Sequence, residues 1–476
     1  MRDFEVQAML RINGPATKLC DGIDRREMLR VGGLGLSGAS LPWLLDQDAR
    51  ASEESYAGRS MASFGQAKNC IVLFQSGGAS QIDMYDPKPD APSEIRGEFS
   101  TIDTALPGVR FTEYMPLTSQ LLSRGSLIRS MTHTSGGHAV GGYHMFTGYQ
   151  YEGTGSQANF MSREDHPHIG AAVAKVSPGR GPMVPFIIVP RRLDAGSGRR
   201  PGQWGGRLGG RFDPLQTGGN PNEENYRLDH LPLLANRPAE VIQRRRKLLS
   251  QVNQQVEYLE QTALAGSLRE NQQKAVDVMA SDAVRSAVDL STADPLDREK
   301  YGRNQFGQSV FLGRRLLNAG TRLVQVSWLR TQGKKGYAWD SHWQNCESLR
   351  EDLIPPFDVA LHALITDLEQ TGQLDETLVV VAGEFGRTPR ITLTTGGREH
   401  WPHCFSVMLF GGGIRPGQVY GSSDRHAGYP ASDPVSPADL TATIYHCLGL
   451  NPRTEVLDAS NRPMWLSEGN PVSALI

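Results

Sequence analysis

The sequence predicts an α/β protein: a doubly wound, mostly parallel sheet flanked by helices, with a helical insert. Three observations predict it. Unbroken apolar runs such as Ile71-Val72-Leu73-Phe74 and Leu378-Val379-Val380-Val381-Ala382 suit strands covered on both faces. The runs close in glycine turns, as at Ser76-Gly77-Gly78 and Gly411-Gly412-Gly413. Segments with apolar residues at helical spacing lie between them. At 476 residues the chain is long enough to bury a large core without disulfide staples.

Residues 1–51 read as an export signal. Asp24-Arg25-Arg26-Glu27-Met28-Leu29-Arg30 precedes a mildly apolar, Gly-rich run from Val31 to Leu45, too short to span a bilayer comfortably. Paired arginines before such a run are the mark of twin-arginine export. Ala49-Arg50-Ala51 offers a small-x-small cleavage site and Ser52 a mature start, although Asp46 and Asp48 are unusual so close to one. An ordinary amphipathic helix that contains Arg-Arg is the alternative. The signal reading makes the twin-arginine machinery a partner and puts the mature chain in the periplasm or outside the cell. No later run approaches the roughly 18 apolar residues of a transmembrane helix, so no stable span is expected after cleavage.

The mature domain, residues 52–476, is expected to open with a polar leader and a first strand over Asn69–Gln75. Further strands are expected at Phe186–Val189, Leu323–Trp328, Leu378–Gly383 and Phe405–Phe410. Pro116–Arg124 reads as a helix. Ile354–Thr371 reads as another, with Val359, Leu361, Leu364, Ile365 and Leu368 as its apolar stripe. Asp194–Asn222, rich in Gly, Arg and Pro, is expected as a long surface loop. Pro238–Leu290 is nearly free of Gly and Pro and reads as two long amphipathic helices, so that an insert occupies about 194–290.

Lys plus Arg number 49 and Asp plus Glu 51, a net charge of −2, which argues against a protein held to nucleic acid by bulk charge. Beyond Cys20, the cysteines Cys70, Cys346, Cys404 and Cys447 lie far apart and form no Cys-x-x-Cys pair, so a thiolate zinc site is not expected. They are either buried apolar residues or members of one or two disulfides.

In a doubly wound sheet the ligand site lies beyond the C-terminal ends of the strands. Four clusters follow expected strand ends: Gly77 to Pro89 with Asp83 and Asp86; His133 to His138 with His144 and Thr147-Gly148; Trp339-Asp340-Ser341-His342; and Glu384 to Pro389 with Glu399-His400-Trp401-Pro402-His403. Mixed histidine and carboxylate donors suit a divalent metal with positions left open for water or substrate. Any one of these histidines is equally well a hydrogen-bonded loop residue; it is their convergence on strand ends that suggests a shared site.

Several of these motifs stand in an order that resembles a known family. Arg25-Arg26, Gly77-Gly78-Ala79-Ser80, Asp83-Met84-Tyr85-Asp86-Pro87-Lys88-Pro89, Arg129-Ser130-Met131-Thr132-His133, Gly383-Glu384-Phe385-Gly386-Arg387-Thr388-Pro389 and His400-Trp401-Pro402 are similar to the secreted bacterial family called domain of unknown function 1501, related to sulfatases and alkaline phosphatases. The resemblance implies an alkaline-phosphatase-like α/β core. It implies a metal-binding Asp at the end of the first strand, where Gln75 and Ser76 stand here, so that the ligand is missing or moved to Asp83. It implies a nucleophile at the start of a helix that closes on Thr-Gly; counted back from Thr147-Gly148, that position holds His138. Asp340 with His342, Glu384 in place of an Asp-His pair, and His400 or His403 are implied as the remaining ligands.

The sequence therefore suggests an exported metal-dependent hydrolase of anionic esters, such as a sulfated or phosphorylated glycan, without the usual Ser or Cys nucleophile. Asp340, His342, Glu384 and His400 would hold one divalent metal (zinc, calcium or manganese), with Asp83 and His403 as further candidates. His138 would be a ligand or the acid that protonates the leaving group. Arg387 would pair with the anionic substrate or form a structural salt bridge. The alternative is a non-catalytic secreted binding or scaffold protein that kept the fold.

Overall fold

A computed structural model describes residues 63–153, 160–179, 183–195, 198–226, 286–329 and 338–476, with positions 228, 244, 247 and 248 besides. These all belong to the compact unit Ser60–Ile476. The expected export signal, and nearly all of the two expected insert helices, lie outside the described residues.

The centre is an eight-stranded sheet. In chain order its strands are β1 (Asn69–Phe74), β2 (Gly125–Met131), β3 (Phe186–Val189), β4 (Leu215–Gln216), β5 (Leu323–Ser327), β6 (Thr377–Ala382), β7 (Phe405–Phe410) and β8 (Gln418–Tyr420). They lie side by side as β8-β2-β7-β6-β1-β5-β3-β4. β1 pairs in parallel with β6 and β5, β3 with β5 and β4, and β2 with β8. Only β7 runs antiparallel, between β6 and β2. The C-terminal ends of β1, β2, β5 and β6 therefore share one edge of the sheet.

The apolar runs are unbroken because helices cover both faces. Successive strand side chains alternate between two cores. Ile71, Leu73, Val379 and Val381 enter the core shared with α3 (Gln305–Asn318) and α4 (Ile354–Gln370), among Leu312, Leu316, Phe357, Leu361 and Leu364. Cys70, Val72, Phe74, Leu378 and Val380 enter the opposite core. They meet Phe146 of α1 (His138–Thr147), Val173 of α2 (Ile169–Val176) and Ile444 of α5 (Pro437–Cys447). In α4 the expected stripe shifts slightly: Val359 is half-buried, while Phe357 and Ala360 complete the buried face.

The segment 194–222 is not a surface loop throughout. It makes a short hairpin (Asp194–Ala195 with Gly198–Arg199), buries Gln203 and Trp204 completely, and supplies β4 to the sheet edge. The cysteines at 70, 346, 404 and 447 are free thiols, three of them buried. Burial pushes the Cys404 and Cys447 thiols up to about 12, so neither is a reactive thiolate. No helix of the described residues is long and apolar enough to cross a membrane.

Candidate metal centre

Three loops at the shared edge of the sheet build the site. The loop after β2 leads into α1, whose first residue is His138 and whose end is set by Gly148 in the left-handed conformation at φ 77°. The spacing back from Thr147-Gly148 thus marks a true helix start, and the residue there is an imidazole. The loop after β5 brings Asp340, and the loop after β6 brings Glu384. His400 is pinned by a two-residue ladder in which His400 faces Arg387 and Trp401 faces Gly386. Gly77, at φ 113°, lets the turn after β1 press on this assembly: a Cβ there would lie 2.3 Å from the backbone nitrogen of Asp340.

The donor groups converge on Asp340. His138 Nε2 lies 3.1 Å from Asp340 Oδ2. His342 Nε2 and His400 Nε2 lie 3.0 and 3.1 Å from Asp340 Oδ1, and 3.0 Å from each other. Ligand atoms of His138, Asp340 and His400 all fall within 4.8 Å of one another.

His400 Nδ1 faces the carbonyl oxygen of Gly136 at 2.8 Å. His138 Nδ1 faces Glu384 Oε1 at 2.8 Å, and His342 Nδ1 faces Glu399 Oε2 at 2.5 Å. Each of these partners only accepts, so each Nδ1 carries a proton and Nε2 is the atom turned towards Asp340, able to donate to the carboxylate when it is protonated or to offer a lone pair to a metal cation. Three Nε2 atoms and a carboxylate thus share one small space, where protons hold them together and a metal cation could take the place of those protons. Outer partners that fix the tautomer of each ring are characteristic of metal-ligating histidines. The neighbouring donors, 3.0 to 3.1 Å apart, stand close to the roughly 3.3 Å between ligand atoms at zinc distance in a tetrahedron, while His342 lies outside the set whose ligand atoms are all within 4.8 Å of one another.

The electrostatics agree. Burial disfavours charge on Asp340, but hydrogen bonds from His138 and His400 and the charge of Arg387 hold its carboxyl far below the ordinary range. Burial likewise opposes the charge on Glu384, which His138 and Arg200 still hold down at about 2. On His138, burial is outweighed by the hydrogen bonds and charges of Asp340 and Glu384, so its pKa rises. His400 goes the other way, lowered by burial and by the neighbouring positive charges. The same negative potential that attracts a proton to His138 attracts a metal cation.

Not every expected residue takes part. Glu384 sits behind His138 and orients it; its Oε1 also accepts from Gly77 N at 2.8 Å, and its buried Oε2 has no partner among the described residues. His138, and not Glu384, is the residue whose ligand atom lies beside those of Asp340 and His400. Asp83 is not at the site: it forms a fully buried pair with Arg398, at 2.7 and 2.8 Å, and also accepts from Asn345 and Ser80. His403 stacks on Tyr429 and meets the edge of Trp401 instead. Arg387 is turned towards protein groups. Its fully buried guanidinium donates to Asp340 Oδ1 at 2.6 Å and to the carbonyls of Gly77, Gly78, Trp339 and Arg398, so it anchors Asp340.

Two participants were not anticipated. Glu399 was visible beside His400, but its role behind His342 needs the fold. Arg200, whose Nη1 donates to Glu384 Oε1 at 3.2 Å, comes from the Gly- and Arg-rich segment, where no local pattern sets it apart. The four groups around the centre keep between 21% and 31% of their side-chain surface exposed, and Thr134, Gly136 and Gly137 form an open rim. The site is thus walled by protein yet open to a solute.

The family model described as "Protein of unknown function (DUF1501)" matches residues 67–476. No curated protein matches the sequence significantly. Among solved structures, the chain is similar to the phosphonate monoester hydrolase SpPMH from Silicibacter pomeroyi, at 11% identity over 86% of this chain and 76% of that one, with a TM-score of 0.36. It is similar to the PsFucS1 sulfatase from Pseudoalteromonas sp., at 10% identity over 85% and 71%, with a TM-score of 0.35. The lipoteichoic acid synthase LtaP from Listeria monocytogenes is another such structure, at 11% identity over 84% and 78%, with a TM-score of 0.35.

Proposed function

We propose that this chain, which belongs to the DUF1501 family, is a metal-dependent hydrolase of anionic esters that uses water as its nucleophile. His138, His342, His400 and Asp340 would hold one divalent cation, for which zinc suits the nitrogen-rich donor set best. Such a cation supplies Lewis acidity and makes water nucleophilic near neutral pH. The observation that carries this reading is the set of three imidazoles, each fixed through Nδ1 by an acceptor and each aiming Nε2 at one carboxylate.

The protein's own groups supply the rest. Glu384, Glu399 and the Gly136 carbonyl hold the three rings, and Arg387 holds Asp340, so the pocket is organised before substrate arrives. The four central groups are met by imidazoles, carboxylates, a guanidinium and a carbonyl, so a metal-activated water is the nucleophile proposed. Three carboxylates (Asp340, Glu384, Glu399) face two guanidiniums (Arg200, Arg387); a divalent cation makes the centre net positive and so suited to an anionic ester. Sulfated or phosphorylated glycans are the substrate class proposed, and the Arg25-Arg26 segment supports export of the chain.

Metal per chain, measured on purified protein by plasma mass spectrometry, and turnover of aryl sulfate, phosphate and phosphonate esters test this. One equivalent of metal and hydrolysis of at least one ester are expected, both lost in Asp340→Asn and His400→Ala. Metal without turnover of any ester would make the protein a metal-bearing binding module. Absence of metal would overturn the centre itself.

A further inference from the structure

We propose that Arg200 receives the tetrahedral oxyanion of the substrate, a sulfate or phosphate group, beside the metal centre. This inference rests on the hydrolase reading above and names the residue that selects its substrate class. Arg200 follows the hairpin Asp194–Ala195/Gly198–Arg199, and its Nε donates to the Asp194 carbonyl at 3.0 Å. That bond aims the guanidinium inward, where Nη1 reaches Glu384 Oε1 at 3.2 Å. The same oxygen accepts from His138 Nδ1 at 2.8 Å, so the guanidinium lies one carboxylate oxygen away from a group of the centre.

Donor accounting separates Arg200 from the other arginines here. Arg387 spends Nε, Nη1 and Nη2 on four carbonyls and Asp340, and Arg398 spends its three nitrogens on Asp83 and the carbonyls of Ile95, Thr388 and Pro389. Both side chains are fully buried. Arg200 has two such bonds, its Nη2 has no partner among the described residues, and 13% of its side chain is exposed. A planar fork with an unspent edge, partly buried where charge is weakly screened, is the geometry that binds sulfate or phosphate through paired N–H donors.

Glu384 makes the exchange easy. Its Oε1 already serves Gly77 N and His138 Nδ1 at 2.8 Å each, and the Arg200 contact is the longest of the three. Turning the guanidinium from Glu384 towards an incoming anion leaves that carboxylate still held by two donors. Arg200 would then set its charge against the oxyanion, with Glu384 still held by Gly77 N and His138 Nδ1.

The test uses the full-length protein loaded with zinc, inorganic phosphate and sulfate as probes, and metal content read on every sample. Arg200→Ala is expected to weaken phosphate binding by calorimetry about ten- to a hundredfold, the loss typical of one charged hydrogen-bonding partner. Zinc content should stay at one equivalent. Arg200→Lys, which keeps the charge but not the fork, should recover part of the affinity. Where an ester is turned over, KM should rise more than kcat falls. Unchanged phosphate affinity in Arg200→Ala with zinc retained would overturn the role of Arg200 and leave the centre standing. Loss of zinc in both Arg200 variants would also overturn it, making the residue a support for Glu384. A wild-type protein that binds no zinc would overturn the underlying site, and this proposal with it.

Discussion

Asp83→Asn separates the two roles that this residue could have, ligand or internal strut. In the structure Asp83 and Arg398 are both fully buried, and the carboxylate accepts from Arg398 Nε and Nη2, from Asn345 Nδ2 at 2.7 Å and from Ser80 Oγ at 2.5 Å. Asparagine keeps the shape but removes the charge, and it turns an NH₂ towards the donating nitrogens of Arg398 or of Arg398 and Asn345. Breaking a buried pair from one side costs about 3–5 kcal/mol, because the remaining charge stays buried without its partner. Arg398 keeps the carbonyls of Ile95, Thr388 and Pro389, which argues for the lower end, about 3 kcal/mol. That is a large share of the roughly 5–15 kcal/mol by which domains are stable. Denaturant unfolding followed by tryptophan fluorescence should show the loss, while the folded fraction keeps its full complement of metal. Wild-type stability together with lost metal would refute the reasoning and return Asp83 to the ligand set.

Three further outcomes follow from the geometry. Glu399→Gln leaves a half-exposed surface residue of the same size but weakens the acceptor behind His342; metal affinity should fall about 10–100-fold with stability unchanged, as competition with a chelator would show. Gly77→Ala places a methyl against the Asp340 backbone and forces a side chain into positive φ, so it should lower both metal content and melting temperature, whereas Gly108→Ala, with open space around it, should spare the metal content. His168 lies fully buried, accepting from Gly170 N and donating to Gln325, and burial lowers its pKa from 6.5 to about 3. The unfolded chain therefore binds the extra proton first, and stability should fall as pH drops from about 6.5 towards 3, by about 1.4 kcal/mol per unit from this residue. His168→Asn should flatten that acid limb; an unchanged pH dependence of unfolding would contradict the assignment.

Five strands were legible because two-sided burial writes itself as unbroken apolar runs. β2 was not, since Ser126, Arg129 and Ser130 interrupt its pattern. Their polar groups find partners only at long range, in the carbonyls of Arg415, Tyr85 and Asp433 and in the carboxylate of Asp86. The start of α5 was readable in hindsight from Ser436-Pro437-Ala438-Asp439, which forms a capping box. At the centre, residue type and position beyond a strand end put His138, Asp340, His342 and His400 among the candidates, and the family resemblance narrowed the set. The same cues pointed to Asp83, His403 and Arg387, because an inventory of charged loop residues does not show which ones already have partners. That information lies in contacts across hundreds of residues, such as Asp83 with Arg398 and Arg387 with the turn after β1. Arg200 is the converse case, an arginine among many whose distinction is a donor left unspent.

X-ray absorption at the zinc edge of zinc-loaded protein addresses the arrangement most directly. Three imidazole nitrogens and one carboxylate oxygen at about 2.0–2.1 Å should make up the protein shell, with the imidazole scattering reduced by one ring in His342→Ala. A shell of oxygen atoms alone, or a spectrum unchanged by that substitution, would show that the three rings do not meet on a common ion.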